Sequence, residues 1–427
     1  MLKWSVFNFY KETPHKNMLI YNTCTGGIYL LPKKFFRLLT GLEECLENRY
    51  FQNQIKTLKK ELYIVDFDEI ALLKHQFYDS AYSPNVVGIT ICPTLQCNLS
   101  CTYCYEDKNQ NSMTETTLTN LIKFVDKYTQ NSNMLSITWY GGEPLYDLNT
   151  LININNKIEK LLKTKTLNYE AHMISNCLLL DESKIELLKK MHIRSIQVTL
   201  DGYRNDHDSR RIRKNGGATF DETIEKIKLL NQNSINVSLR INVDKNNKKS
   251  IPKLIKFLYS QNIVANIYLG HIQANTNACS SNSNICLTKK EFNTFNYNFI
   301  NKYSNKGYKN LSFGLPIPSK KTVFCGANRA FSFVIDANGY VYKCWNEVGQ
   351  INNAICNVNR LKEVNLNNLL KYNELSPFEN KKCLKCKCLP ICLGGCPYNR
   401  SIGSDDCFKF SSLVNQYMLD IIKKRDL

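Results

Sequence analysis

Cys97, Cys101 and Cys104 stand at C-x3-C-x2-C spacing in one short stretch, with Tyr103 directly before the third thiol. Three thiolates so close together can wrap three corners of an iron–sulfur cube. The fourth iron is then left open to a substrate or cofactor. The same loop also fits a three-thiolate zinc site whose fourth ligand comes from elsewhere. A second group lies near the C-terminus: Cys325, Cys344, then Cys383-x2-Cys386-x5-Cys392-x3-Cys396, and Cys407. A pair of zinc ribbons is the alternative to clusters there. No secretory-type apolar stretch opens the chain and no apolar run reaches the ~20 residues of a membrane span. A cytoplasmic protein without a membrane partner is expected. Eighteen cysteines in 427 residues then argue for metal or redox chemistry rather than a disulfide framework.

The elements that must position these thiols follow from hydrophobic periodicity. Between residues 86 and 300, strand patterns at 86–92, 134–139, 168–175, 194–200, 235–243 and 264–270 alternate with helical patterns. The helices are expected at 114–130, 147–163, 183–191, 219–231, 249–260 and 288–303. Six alternations predict an α/β fold with a parallel sheet and right-handed crossovers, curled into a partial barrel. Such folds place chemistry just after the strands, and the polar signatures fall there. The cysteine loop follows the first strand and Gly141-Gly142-Glu143-Pro144 the second. Asn176 ends the third, in Ile174-Ser175-Asn176-Cys177. Thr199-Leu200-Asp201-Gly202 ends the fourth, with His207, Asp208 and Arg211 beyond it. Arg240, Asn242 and Asp244 sit at period two on the fifth and share a face. Taken singly, each has an ordinary reading as a turn, a cap or an ion pair.

Taken together, these residues resemble the radical SAM enzymes. The resemblance implies a partial (β/α)6 TIM-type barrel over residues 86–300, with Cys97, Cys101 and Cys104 as the catalytic cluster ligands. The open iron would chelate the amino and carboxylate groups of S-adenosylmethionine. Tyr103 belongs to the family pattern, and the Gly141, Gly142, Glu143, Pro144 segment would bind the cofactor's amino group. Asn176, Thr199 and Asp201 would be further cofactor contacts, and Arg240 would lie near the cofactor carboxylate. Cys177 departs from the glycine often found there, which puts that turn's geometry in question.

The C-terminal cysteines, in residues 301–427, resemble the SPASM domain, which adds two auxiliary clusters for three 4Fe-4S clusters in all. The resemblance assigns Cys325, Cys344 and Cys396 to one, and Cys383, Cys386, Cys392 and Cys407 to the other. The first is a ligand short. Cys286, Cys279, Cys356 and Cys388 are candidates, or an open iron there seats a substrate thiolate. Residues 331–342 read as a hairpin with an Asn338-Gly339 turn, and would deliver Cys325 and Cys344.

Residues 1–85 read as a strand at 4–9 and a hairpin of 18–22 with 27–31. A helix from Pro32 through Leu42 and Leu46, a helix near 53–60 and a strand at 62–65 follow. The order resembles the small winged-helix-like domain that receives a leader peptide by strand addition. The alternative is an extension that only caps the barrel. Cys24 and Cys45 read as buried thiols.

The family chemistry begins with one-electron cleavage of S-adenosylmethionine and abstraction of hydrogen from carbon. Auxiliary clusters offer a route out for an electron. The SPASM subset acts mostly on peptides, which implies a small, cysteine-rich precursor peptide as partner. An external one-electron donor such as flavodoxin or ferredoxin is implied as well. A thioether or carbon–carbon cross-linking maturase of the sactipeptide or ranthipeptide kind is expected. The branch that oxidises Ser or Cys in sulfatases carries an Asp after the Cys344 equivalent; Trp345 stands here, and an indole cannot accept a proton from a hydroxyl. A non-catalytic iron–sulfur or zinc protein is the alternative from another class. Of the formal charge of +19, residues 301–427 contribute most. Their lysines lie among cysteines rather than in a stripe with aromatics, so nucleic acid is disfavoured as a partner.

Overall fold

The computed structural model describes residues 2–39, 49–104, 111–273, 283–404, 407 and 410–426. Leu42, Leu46, Cys45 and Cys279 lie outside them. The chain divides into two compact units, Met1–Tyr82 with Leu315–Asn328 and Tyr372–Leu427, and Ser83–Gly314 with Arg329–Lys371. Residues 301–427 are thus shared between both units.

In the first unit, β2 (Asn8–Glu12), β3 (Asn17–Asn22) and β4 (Ile28–Pro32) form an antiparallel meander, while β1 (Lys3–Trp4) pairs with β5 (Ile64–Val65). The strand expected over 4–9 is therefore broken. The cause is Glu69: its carboxylate accepts from Ser5 Oγ at 2.6 Å and Val6 N at 2.8 Å, and so captures a bend. Helices span Lys33–Leu38, Arg49–Lys60 and Glu69–Tyr82. The C-terminal segment packs onto this region within the same unit. Lys387 Nζ donates to Asn8 O at 2.8 Å, and Tyr78 OH meets Ser376 Oγ at 2.9 Å.

In the second unit, β6 (Val86–Ile91), β7 (Met134–Trp139), β8 (Asn168–Ile174), β9 (Ile193–Thr199), β10 (Asn236–Val243) and β11 (Ala265–His271) run parallel in sequence order. They form a partial TIM-type barrel. Helices Glu115–Tyr128, Leu148–Leu162, Glu182–Lys190, Phe220–Gln232, Ile251–Ser260 and Lys289–Ser304 alternate with them. Their starts are set by local chemistry: Thr114, Asp147, Asp181 and Thr288 each accept an amide of the first turn. Val, Ile and Leu from strands and helices fuse into one buried core.

The sheet is longer than the periodicity predicts. β12 (Leu311–Ser312) adds parallel to β11, and the expected hairpin, β13 (Ser332–Ile335) with β14 (Tyr340–Tyr342), docks β13 parallel to β6. β15 (Cys356–Asn357) completes a ten-stranded sheet. Val334, Tyr342 and Ala354 pack with Cys92 and Leu95 at the foot of the cysteine loop. The hairpin is thus an extension of the barrel sheet.

Candidate active site

A cavity of about 320 Å³ opens at the C-terminal ends of the barrel strands. Cys97, Cys101 and Cys104 line it together with Tyr103, Gly141, Gly142, Asn176, Thr199 and Arg240. Glu143, Pro144 and Asp201 do not line it and lie buried behind its wall.

The cysteine loop is held from two sides. On one side, Gly142 N donates to Thr94 O at 3.3 Å and Glu143 N to Gln96 O at 2.8 Å. Both glycines are required there. A Cβ on Gly141, at φ +114°, would lie 2.3 Å from Thr94 O, and one on Gly142 would lie 2.3 Å from Gln96 O. The close approach that glycine permits is thus to the loop's own backbone. On the other side, residues 210–214 run alongside the loop: Ser100 N donates to Ile212 O at 2.7 Å, Thr102 N to Arg210 O at 3.0 Å and Lys214 N to Asn98 O at 3.2 Å.

Glu143 ties the second strand end to the third. Its carboxylate accepts from Ser175 Oγ at 2.8 Å, Asn176 N at 2.7 Å and Leu145 N at 3.1 Å. Burial pushes its pKa up against these hydrogen bonds. Asn176 Nδ2 in turn reaches Asn98 Oδ1 at 2.7 Å and Cys97 Sγ at 3.8 Å. Cys177 takes φ +66°, the left-handed conformation that favours glycine.

Strand register assembles the far wall. Gln197 and Thr199 point inward from β9; Arg240 pairs in register with Thr199, and Asn242 with Gly270. Arg240 Nε donates to Asn242 Oδ1 at 2.7 Å, so the two share a face as period two predicts. Asp244 instead lies buried beyond the strand, bonded to Arg210 Nη2 at 2.7 Å. Gly270 leaves the space Arg240 occupies, since a Cβ there would sit 2.6 Å from its Nε. An isolated glycine inside an apolar strand is the signal by which that position was findable. Asp208 caps the helix Phe220–Gln232, accepting from Thr219 N at 2.7 Å and Phe220 N at 2.8 Å. His207 is fully buried, its Nε2 3.1 Å from Thr219 Oγ1, and burial holds its pKa well below the usual value.

Tyr140, Ile174, His271, Ile272, Gln273, Trp345 and Asn346 complete the cavity wall. Trp345 stacks on Tyr140, with ring centroids 5.0 Å apart. His271 stacks on Phe292 at 4.6 Å and contacts Leu287 O through Nε2 at 2.7 Å. Periodicity carries no signal for this contact.

The loop's surroundings fit a thiolate-held cluster. Burial, reinforced by Glu143 and Cys101, pushes the Cys97 thiol up to about 12, so a thiolate there requires a compensating cation. Leu99 N points at Cys97 Sγ from 3.4 Å, and the buried Asn98 Nδ2 has no partner. Such donors suit cluster sulfurs. Among the described residues no three His, Cys, Asp or Glu side chains converge closely enough for a single ion. The three loop thiols share one larger cavity instead.

Of the second cysteine group, Cys325, Cys383, Cys386, Cys392, Cys396 and Cys407 belong to the first unit, and Cys344, two residues past β14, to the second. Cys388 is buried, and its thiol beside Cys386 lowers the Cys386 pKa to about 6. Cys356 sits on β15 opposite Val341.

Residues 91–258 match the profile of the Radical SAM superfamily. The chain is 23% identical over 333 residues to a cysteine-type anaerobic sulfatase-maturating enzyme of Clostridium novyi, covering 71% of this chain and 86% of that one. In fold it is similar to native anSMEcpe solved with bound AdoMet and Cp18Cys peptide, at a TM-score of 0.60 and 19% identity, over 80% of this chain and 100% of that one. It is also similar to Streptococcus suis SuiB bound to precursor peptide SuiA, at a TM-score of 0.53 and 16% identity, over 96% and 99% of the two chains. No helix among the described residues is long and apolar enough to cross a membrane.

Proposed function

We propose that this chain, which carries a radical SAM domain, is a maturase that cross-links a ribosomally made peptide by a thioether or carbon–carbon bond. The observation that carries this reading is the shared cavity, in which the loop thiols and Arg240 face a stacked Tyr140–Trp345 pair. S-adenosylmethionine on a 4Fe-4S cluster would supply the one-electron chemistry that starts hydrogen abstraction from carbon. In this reading Cys97, Cys101 and Cys104 hold that cluster. Arg240, fixed by Asn242 and given room by Gly270, fastens the cofactor's carboxylate; Asn176 and Thr199 lie beside it. Tyr103 lines the cavity beside the thiols, whereas Glu143 and Asp201 act from behind, by fixing the loop and the strand ends. Tyr140, Trp345, Ile174 and Ile272 form the apolar side of the cavity, which keeps water from the reacting carbon.

The C-terminal cysteines would hold two auxiliary clusters, with Cys325, Cys344 and Cys396 on one and Cys383, Cys386, Cys392 and Cys407 on the other. The N-terminal region would receive the leader peptide, and a flavodoxin or ferredoxin would deliver electrons. SuiB, solved with a precursor peptide, supports a peptide substrate. The relative from Clostridium novyi favours a second reading, oxidation of a sulfatase cysteine. Against it stands Trp345, which offers no proton acceptor where a carboxylate base would be needed.

The test is to incubate the reduced protein and S-adenosylmethionine with the short peptide encoded beside it, and separately with a cysteine-containing sulfatase peptide. Cross-linking predicts deoxyadenosine and a peptide two hydrogens lighter. Deoxyadenosine with an unchanged peptide, or turnover of the sulfatase peptide alone, would overturn the proposal.

A further inference from the structure

The fourth strand end holds a buried charge that the reaction as outlined does not use. Arg210 and Arg211 follow one another and diverge. Arg210 pairs with Asp244, whereas Arg211 turns to the cysteine loop, where Nη1 donates to Tyr103 OH at 2.8 Å. Tyr103 OH passes the chain on by donating to Asp201 Oδ2. Asp201 also accepts from Asn242 N at 3.2 Å, and Arg211 Nη1 stands 4.0 Å from its carboxylate. Both carboxylate oxygens accept; burial raises the Asp201 pKa, and the adjacent Arg211 and Arg210 charges oppose that rise and favour the carboxylate. The pair is oriented: Arg211 lines the cavity with the three thiols, while Asp201 is fully buried and does not. The cavity therefore meets the positive end.

We propose that Arg211 is a positioning residue that raises the reduction potential of the cluster held by Cys97, Cys101 and Cys104. It would do so through its fixed positive charge, with Tyr103 and Asp201 setting its place. Three thiolates and a cube are net anionic, and accepting one electron adds a further negative charge. A cation held in a poorly solvated wall favours the reduced form. The segment carrying it is aligned along the loop by three backbone hydrogen bonds, and the guanidinium is held to that loop by Tyr103 OH. The inference rests on the loop holding a cluster, and it is independent of the peptide reading.

The experiment is a mediated redox titration of the full chain reconstituted with iron and sulfide. It follows the reduced-cluster EPR signal that changes on adding S-adenosylmethionine. Arg211→Met at full iron content should shift the one-electron equilibrium at least tenfold toward the oxidised form, or about 59 mV more negative. Arg211→Lys should stay within about threefold of wild type, because the charge remains. Asp201→Asn removes the offsetting negative charge and should shift the equilibrium in the opposite sense. An Arg211→Met protein with full iron and an unchanged midpoint would overturn the proposal. If that variant fails to load iron, Asp201→Asn decides: no shift, or a shift to more negative potential, overturns it. A wild-type protein with no cofactor-responsive signal overturns the cluster reading beneath it.

Discussion

Gly142→Ala tests how the cysteine loop is held. The new methyl group would lie 2.3 Å from Gln96 O and 2.5 Å from Leu95 O, both backbone atoms with no side-chain freedom. Real Cβ contacts essentially never fall below 3.0 Å, so the loop must retreat by about 0.7 Å. The hydrogen bonds from Glu143 N to Gln96 O and from Gly142 N to Thr94 O then stretch or break. Losing two buried amide bonds costs about 2–6 kcal/mol if the groups stay unsatisfied. For a unit of this size that lowers Tm by about 3–10 °C. Displacement of this order at a reacting centre also costs rate, up to about a hundredfold for 1 Å. Gly88→Ala serves as the control, because its Cβ would meet only Ser332 Oγ, at 3.6 Å. Differential scanning fluorimetry and iron content of the reconstituted proteins give the readouts. A Gly142→Ala protein that melts and binds iron like wild type would refute the claim that these glycines seat the loop.

Two further outcomes follow from contacts near the site. Asp208→Ala strips the cap from the helix Phe220–Gln232 and should cost about 1–2 kcal/mol in denaturant unfolding, with Asp208→Asn recovering most of it; equal losses in both variants would argue against capping. Burial raises the Asp336 carboxyl to about 6 although Asn338 N, Tyr340 N and Tyr342 OH all donate to it. The folded state therefore keeps a proton that the unfolded chain releases near pH 4. The resulting stabilisation is complete below that pH and is lost as pH rises through 6, by up to about 3 kcal/mol. Unfolding at pH 4.5 and 7.5 should differ by about 2 kcal/mol of this, and the difference should flatten in Asp336→Asn.

The barrel was legible because its strands bury alternate residues against the helix layer and its helices bury one face in return. Apolar alternation and 3.6-residue stripes therefore mark the six expected strands and six expected helices to within two residues, while the short helix Arg204–Asp208 carries too few residues to show a period. The residues at strand ends were legible by the same route, since a polar residue directly after an apolar strand has one place to go. What escaped depends on partners distant in sequence. The bend at Ser5 is made by Glu69, and nothing within 4–9 announces it. β13 looks like half of an isolated hairpin until it docks on β6. The alignment of residues 210–214 along the cysteine loop is a backbone match with no residue signature. Glu143 reads like a ligand-binding carboxylate, yet three donors of the fold itself occupy it. Cys177 holds a glycine's backbone angle, which the resemblance to a family with glycine there announces and the residue type does not.

In the proposed function, Cys97, Cys101 and Cys104 carry an iron cluster whose open corner takes S-adenosylmethionine beside Arg240. The direct measurement is EPR of the reconstituted, reduced protein before and after adding S-adenosylmethionine, alongside metal analysis and a variant with all three cysteines changed to alanine. On that reading, iron in the loop and a signal that the cofactor alters are expected, both absent from the triple variant. Zinc in that loop, or an iron signal indifferent to S-adenosylmethionine, would contradict it.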